Sequence, residues 1–202
     1  MRLRLALAAW ALALPAGAAD LPALHAVTGV GSGDVLNIRA APSAGAARLG
    51  ALAPDARDVE VVELSPDGRW GRVNAGEGSG WVSLRYLAAQ PGPAWHEMRT
   101  PLACYGTEPF WALAADPAAG TATLERPGED PAALRIDWSA PAAGRGGILG
   151  WSLSGAARGF AVLRAGPCSD GMSDRVMGLS LELFLNGPEG PAGHSGCCRL
   201  VP

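Results

Sequence analysis

The stretch CSDGMSDR, residues 168–175, decides how the C-terminal half of this chain is interpreted. It contains two carboxylates, two hydroxyls, one guanidinium and one cysteine. Apolar runs flank it on both sides, FAVL at residues 160–163 and LSLELFL at residues 179–185. This order predicts a strand, a tight polar connection that contains glycine, and a second strand.

The sequence around this stretch predicts an all-β unit over residues 100–202. Its apolar and β-branched segments are short, and turns with glycine or proline separate most of them. No segment shows a sustained helical period of about 3.6 with capping signals. About seven short strands favour a β-barrel or a β-sandwich. The predicted strands are residues 110–115, 121–125, 133–138, 151–154, 160–164, 179–185 and 197–201.

The N-terminal half predicts a smaller β unit over residues 27–90, and a linker rich in proline and glycine follows at residues 91–99. VLNIR at residues 35–39 alternates apolar and polar side chains, as a half-buried strand does. SPDG at residues 65–68 is a strong turn signal. Short strands and frequent glycine turns within about sixty residues indicate a small open barrel.

Four motifs in this unit resemble the bacterial SH3 domain. They are LNIRAAPS at residues 36–43, WGRV at 70–73, GWV at 80–82 and YL at 86–87. The resemblance implies an SH3-like barrel, and some members of that family bind cell-wall peptides. It makes Trp70, Trp81 and Tyr86 candidates for an aromatic peptide-binding groove. The competing expectation is that at least one of the two tryptophans fills the barrel core.

Three motifs of the C-terminal unit resemble an uncharacterised family of exported bacterial proteins, often labelled predicted membrane proteins. They are CYGTEPFW at residues 104–111, CSDGMSDR at 168–175 and GCC at 196–198. The family implies no activity that can be carried over to this chain. Its members often have tyrosine and proline after the Asp-Arg pair, where this chain has Val176 and Met177.

The four cysteines are an even number, which predicts two disulfides in an exported protein. A bond between the adjacent Cys197 and Cys198 would strain the peptide unit. On a strand their side chains point to opposite faces, so each should reach a different partner. Either pairing with Cys104 and Cys168 satisfies this condition. The resemblance to the exported family implies Cys168–Cys197, which leaves Cys104–Cys198.

Residues 1–19 have the features of a secretory signal peptide, with two arginines, an apolar run and small residues before the cleavage point. The expected location is therefore periplasmic or secreted, and no later segment is apolar for long enough to span a membrane. A net charge of −3 does not favour a nucleic-acid partner. The chain has no lysine, which excludes Schiff-base chemistry and a P-loop.

Asp170 and Asp174 allow three interpretations. The favoured one is a self-contained structural turn, with Arg175 paired to an outside carboxylate such as Glu108. A small-ligand or anion site comes second, and a calcium site comes last because the spacing does not match the twelve-residue calcium loop. Glu108 with Asp170 or Asp174 would be the acid–base pair of a hydrolase, although a buried Glu108 that holds loop backbone is the more common outcome.

The sequence therefore predicts an exported, non-catalytic envelope protein without cofactor or metal. Its SH3-like domain would bind or approach cell-wall peptide or peptidoglycan, and the ligand of its C-terminal domain is not specified. Two alternatives remain open. One is a cell-wall hydrolase that uses Glu108 with Asp170 or Asp174, and the other is a purely structural envelope protein.

Overall fold

A computed structural model describes residues 20–202, so the predicted signal peptide at residues 1–19 lies outside the described residues. The protein is built almost entirely from β-strands, which confirms the predicted all-β class. The strands form two groups, which we call the first module (β1 to β8) and the second module (β9 to β16). The strands of the first module are β1 (Ala23–Val27), β2 (Leu36–Arg39), β3 (Arg48–Leu52), β4 (Val59–Val61), β5 (Glu63–Leu64), β6 (Trp70–Ala75), β7 (Gly78–Ser83) and β8 (Leu87–Ala89).

The first module consists of two small antiparallel sheets around one valine-rich core. One sheet has the strand order β3-β2-β7-β6-β5, and the other has the order β4-β1-β8. Alternate side chains of the strands point into the space between the sheets, as the pleat requires. The buried core residues are Val27, Leu36, Ile38, Val59, Val61, Val73 and Val82. A 3-10 helix at Leu84–Tyr86 connects β7 to β8.

The turn between β5 and β6 shows how local sequence sets this fold. The Ser65 hydroxyl donates to Asp67 Oδ1 at 2.6 Å, and the Arg69 backbone N–H donates to the same oxygen at 3.1 Å. Gly68 has φ +66°, which glycine adopts without steric cost. The hydrogen bond from Ser65 and the bonds from Arg69 lower the pKa of Asp67 to about 2. The SPDG turn predicted from the sequence is therefore fixed by its own side chains.

The second module is a closed, antiparallel barrel of eight strands, so the barrel alternative holds and the sandwich does not. Each strand pairs with its sequence neighbours, and β16 closes the ring by pairing with β9. Leucines from most strands fill the interior. The strands are β9 (Leu102–Gly106), β10 (Trp111–Asp116), β11 (Thr121–Glu125), β12 (Ala132–Pro141), β13 (Ile148–Gly155), β14 (Arg158–Cys168), β15 (Met177–Gly187) and β16 (Gly190–Leu200).

The last five strands of the barrel are longer than the predicted strands, and β9 had not been predicted. The prediction for β16 began at residue 197, whereas the strand begins at Gly190. Its first residues are glycine, proline and alanine, which have low β-propensity, but the ladder with β15 over-rides that preference. Tertiary pairing, rather than local sequence, sets these strand lengths.

The predicted linker is packed against the barrel. A 3-10 helix at Trp95–Glu97 lies in it, and the buried side chains of Trp95 and Met98 belong to the same core cluster as the barrel leucines. Leu24 of β1 also packs against that cluster. The segment that joins the modules is therefore anchored to the second module by apolar burial.

The two disulfides are Cys104–Cys198 and Cys168–Cys197, the pairs that the resemblance to the exported family implied. Cys104 and Cys198 stand opposite each other on β9 and β16 and are fully buried. Cys197 points to the other face of β16, where it is buried and bonded to Cys168. The adjacent cysteines thus reach different partners because neighbouring residues of a strand face opposite sides.

Candidate functional site

The acidic loop, residues 168–176, is held in shape by its own hydrogen bonds. Asp170 Oδ1 accepts from the backbone N–H of Met172 at 3.0 Å and from that of Ser173 at 3.4 Å. The Ser169 hydroxyl accepts from the N–H of Gly171 at 3.3 Å, and Gly171 has φ +74°. This is the pattern of a polar turn that satisfies its own backbone. The geometry supports the structural interpretation of Asp170.

The three motifs of the second module meet beside this loop. The Thr107 hydroxyl donates to the carbonyl oxygen of Asp170 at 3.0 Å, which joins the first motif to the second. The Cys168–Cys197 disulfide joins the second to the third. The residues that carried the resemblance are therefore neighbours in space, although more than sixty positions separate the first motif from the second.

The two motif glycines make room for the indole of Trp111. A Cβ on Gly106 would lie 2.0 Å from Trp111 Nε1. A Cβ on Gly196 would lie 2.7 Å from Trp111 Cζ2 and 2.2 Å from the carbonyl oxygen of Tyr105. Separations this short are impossible for real atoms, and backbone oxygens stand as close as the indole does, so both positions require glycine.

The end of the acidic loop binds the first module. Arg175 Nε donates to the carbonyl oxygen of Gly76 at 2.6 Å, and Arg175 Nη2 lies 3.3 Å from Glu77 Oε1. The Asn74 amide donates to the carbonyl oxygen of Val176 and accepts from its N–H, both at 2.9 Å. Four hydrogen bonds from three residues of the β6–β7 hairpin to Arg175 and Val176 thus connect the two modules.

Glu108 differs from its expected role in two respects. Its side chain is exposed rather than buried, and Arg175 pairs with Glu77 instead of with it. Asp174 is also exposed and lies against Gly78 of the first module. Within residues 20–202, no group of three His, Cys, Asp or Glu side chains is placed to bind a metal ion.

A cleft of about 900 Å³ lies where the modules meet, and we call it the inter-module cleft. Asp170 and Arg175 line it, whereas Glu108 and Asp174 do not. Three large apolar side chains that the fold leaves exposed also line it, namely Tyr105, Phe110 and Met172. No sequence pattern indicated this grouping, because it depends on how the two modules dock.

Glu60 is a half-buried residue whose carboxyl group lies in the lining of the inter-module cleft. Its Oε1 accepts from the backbone N–H of Leu200 at 3.0 Å, which makes a further bond between the modules. Burial raises the pKa of Glu60 to about 7, and the bond from Leu200 and the nearby Arg199 only partly oppose that rise. The charge at this contact therefore changes near neutral pH.

The aromatic groove is a separate cavity of about 450 Å³ in the first module. Trp70 and Tyr86 line it together with Arg39, Arg85 and Asp34. The guanidinium of Arg85 lies 4.4 Å from the centroid of the Tyr86 ring. The groove therefore combines apolar faces with two cations and one carboxylate, which suits a short peptide with charged groups.

Trp81 stands on the same sheet face but does not line this groove. It lies opposite Arg39 and Arg72 in the strand register, and the Arg72 guanidinium is 6.0 Å from its ring centroid. Of the three predicted aromatic residues, the structure thus brings two together. The arginines beside them were not predicted, although Arg39 stands in the first quoted motif and Arg85 precedes Tyr86.

The expectation that a tryptophan fills the core is wrong. Trp70 and Trp81 are both half-buried, and neither belongs to the core of the first module. Their strand neighbours Val73 and Val82 face inward, so the alternation of the pleat places both indoles on the outer face. Valines supply the core volume instead.

Comparison with known families agrees with the fold of the first module. Residues 34–88 match the model of the family described as Bacterial SH3 domain. The first module thus contains a bacterial SH3 domain, and this family points to a role at the cell wall. No curated protein matches the chain at a significant level. Within residues 20–202, no helix is long and apolar enough to cross a membrane.

Proposed function

We propose that this protein is an exported, non-catalytic binding protein of the cell envelope, and that its SH3 domain binds cell-wall peptide in the aromatic groove. The observation that carries this proposal is the placement of Trp70 and Tyr86 beside Arg39 and Arg85 in one cavity of a bacterial SH3 domain. The two disulfides support an oxidising compartment such as the periplasm or the cell exterior.

The chemistry of the groove fits peptidoglycan stem peptides. These peptides present carboxylates along a chain of small aliphatic side chains. The guanidinium groups of Arg39 and Arg85 offer charge-assisted hydrogen bonds to carboxylates. The rings of Trp70 and Tyr86 offer apolar faces to the aliphatic groups. Asp34 at the groove provides a partner for an amino group on the same peptide.

The geometry gives less support to a hydrolase. A glycosidase needs two carboxyl groups free to act on either side of one bond. Asp170 already accepts two backbone N–H groups of its own turn, and Glu108 stands outside the inter-module cleft that Asp170 lines. The role of the acidic loop is better explained by its bonds to the β6–β7 hairpin, which hold the two modules together.

A sedimentation assay with a peptide competitor tests the proposed function. The mature protein should sediment with isolated peptidoglycan, and a free stem peptide without sugar should release part of it. Trp70→Ala and Arg39→Ala should weaken binding of the stem peptide by about tenfold. Leu49→Ala, which removes an exposed apolar side chain elsewhere in the first module, should leave binding unchanged.

Two results would contradict the proposal. One is the absence of saturable stem-peptide binding by the mature protein. The other is equal binding by the wild-type protein and by the Trp70→Ala and Arg39→Ala variants, with melting temperatures that show all three to be folded. Hydrolysis of peptidoglycan that is lost in a Glu108→Gln variant would favour the hydrolase instead.

A further inference from the structure

The barrel wall is left unpaired along part of β16. This strand pairs with β15 from Gly190 to Cys198. With β9 it pairs only from Cys197 to Leu200, because β9 ends at Gly106 and the chain turns back there into β10. On the β9 side, residues 190–196 therefore have no partner strand within the described part of the chain. We call this segment the free edge.

Every second residue of the free edge directs its backbone groups away from β15. In an antiparallel ladder, alternate residues bond to the strand on one side and the others to the strand on the other side. The Val201 N–H donates to the Pro101 carbonyl oxygen at 2.9 Å, so the odd-numbered residues here face the β9 side. Gly193 and Ser195 thus offer one N–H and one C=O each, and Pro191 offers a C=O. Within residues 20–202, no backbone group of a loop or turn forms a hydrogen bond with these three residues.

The mouth of the barrel opens beside the free edge. Because the strands alternate in direction, four hairpins lie at this end of the barrel. Three of them, β11–β12, β13–β14 and β15–β16, surround a cavity of about 430 Å³ that the β9–β10 hairpin does not reach. Pro191 and Ala192, at the start of the free edge, line this mouth cavity. Its interior side is formed by the core leucines Leu124, Leu134 and Leu185. The mouth cavity and the free edge are thus continuous.

The rim of the mouth cavity is acidic. Asp130 and Glu189 line it, and both are exposed. Among the residues that the structure describes, no basic side chain lies within ion-pair distance of either carboxylate. Arg126 also lines the cavity, but its charge is offset by Glu129 at 2.6 Å. The rim therefore attracts a cationic group, and the leucines below it favour an apolar one.

We propose that the free edge binds an extended peptide as an added β-strand, with an apolar side chain in the mouth cavity and a basic side chain at its rim. Addition of a strand to an exposed edge pairs the backbone groups of both chains, and side-chain pockets beside the edge supply specificity. Pro191 lacks an N–H, which limits the ladder to a short segment. A second copy of the barrel fits less well, because the hairpins around the mouth cavity would collide with the strands that flank its own edge. This site goes beyond the peptide site of the first module.

Titration of the mature protein with a synthetic heptapeptide tests this site. The probe is acetylated and amidated, and valine alternates with threonine between two terminal lysines, so it favours an extended conformation and carries no carboxylate. It should bind saturably to the wild type and equally well to Trp70→Ala. The matched controls are two N-methylated forms, each of which lacks the N–H groups of alternate residues. One form should bind about tenfold more weakly and the other should bind like the parent peptide, because only alternate N–H groups face β16.

Variants of the protein test the edge, the cavity and the rim separately. Gly193→Pro removes an N–H at the free edge without removing a bond to β15, so it should weaken binding of the heptapeptide by about tenfold. Ala156→Trp fills the mouth cavity from the β13–β14 hairpin and should have an effect of similar size. Glu189→Gln should weaken binding by about threefold, since exposed ion pairs contribute little. Trp138→Ala removes an exposed aromatic side chain elsewhere on the barrel and should leave binding unchanged.

The N-methylated probes keep the test independent of folding, because they require no change in the protein. The proposal is overturned if the heptapeptide does not bind saturably, or if both N-methylated forms bind like the parent peptide, which would indicate a pocket for apolar groups without strand addition. It is also overturned if Gly193→Pro and Ala156→Trp, with melting temperatures near that of the wild type, bind the peptide equally well. A wild-type dimer that Gly193→Pro dissociates, and that the peptide does not, would assign the edge to a second copy instead. Loss of stem-peptide binding alone would leave this site intact, since the heptapeptide has no carboxylate for the aromatic groove.

Discussion

The two modules obtain their stability in different ways. The first module buries seven core residues, five of them valine, and contains no cysteine. The core of the second module is larger: it contains twelve leucines as well as Trp111 and Trp151, and the linker adds Trp95 and Met98 to it. The second module also has both disulfides. Its sheet closes into a ring, whereas the sheets of the first module are open. The barrel thus depends less than the first module on contacts with the rest of the molecule for its stability.

This difference explains why the contacts between the modules matter most to the first module. A domain of about sixty residues buries a small fraction of its surface and is marginally stable alone. Asn74, Arg175 and Glu60 attach it to the barrel through its hairpin and through β4. The acidic loop that makes two of these contacts is itself fixed to the barrel by Cys168–Cys197. The second module therefore supports the shape of the first.

Removal of the disulfides should have the largest effect and should distinguish the two bonds. Cys104–Cys198 closes a separation of 94 residues, and Cys168–Cys197 closes one of 29. In the chain-entropy model these losses amount to about 5 and about 4 kcal/mol of unfolding free energy. Replacement of both cysteines of a pair by alanine, followed by denaturant unfolding, measures each value.

The two pairs serve as controls for each other because the bonds end at adjacent cysteines of β16. Replacement of the Cys104–Cys198 pair should lower the unfolding free energy more, because its side chains are also completely buried in the barrel core. The Cys168–Cys197 variant should in addition loosen the acidic loop and lower the stability of the first module. An equal loss for both pairs, with the first module unaffected, would argue against the support that we infer.

The pH dependence of stability should be dominated by Glu60 at the inter-module contact. Its pKa is about 7 in the folded protein, against about 4.5 when it is free. Between these values the folded state holds a proton that the unfolded state releases. The free energy of unfolding should therefore fall as the pH rises through this window, by about 3 kcal/mol in total. Below about pH 4.5 both states are protonated and this contribution is constant.

Glu60→Gln isolates that effect. The amide keeps an acceptor for the Leu200 N–H but cannot ionise, so the variant should be more stable than the wild type at pH 8 and similar at pH 4.5. His25 acts in the opposite direction, because burial lowers its pKa and its protonation disfavours the folded state. His25 is present in both proteins, so the difference between them at each pH reports Glu60 alone. A constant difference from pH 5 to pH 8 would contradict this assignment.

The sequence predicted the strands and turns that a short stretch of residues defines by itself, such as the alternating strand VLNIR at residues 35–39 and the SPDG turn at residues 65–68. It did not predict the full lengths of β12 to β16, because those strands continue through glycine, proline and charged residues that only the ladder holds extended. The same limit applied to the exposed aromatic side chains of the barrel. Phe160 and Phe184 lay in predicted strands, but the face of Trp138 depends on a bulge that no local pattern marks.

The candidate sites were predicted in part for a similar reason. Trp70, Tyr86, Asp170 and Arg175 line cavities, and the motifs that contain them were visible as sequence. The partners of Arg175 were not, since Glu77 belongs to the other module and nearly a hundred positions separate the two residues. Contacts across such a distance depend on docking, and the sequence pattern of either module alone does not encode them.

The smallest expected effect concerns the link between the shape of the acidic loop and the contact that it makes. Asp170→Ala removes the acceptor of two turn N–H groups, and Asn74→Ala removes the two bonds to Val176. Each group is partly exposed, so each variant should lose about 1 kcal/mol of unfolding free energy. If the turn positions Val176 for its bonds to Asn74, the two effects should not be additive. The double variant should then lose less unfolding free energy than the two single variants together, by about 0.5 kcal/mol or more. Glu97→Ala removes a linker carboxylate whose hydrogen bond goes to the Ala94 N–H and not to the loop, so it should be additive with both. Full additivity of Asp170→Ala and Asn74→Ala would show that the loop turn and the inter-module contact are independent.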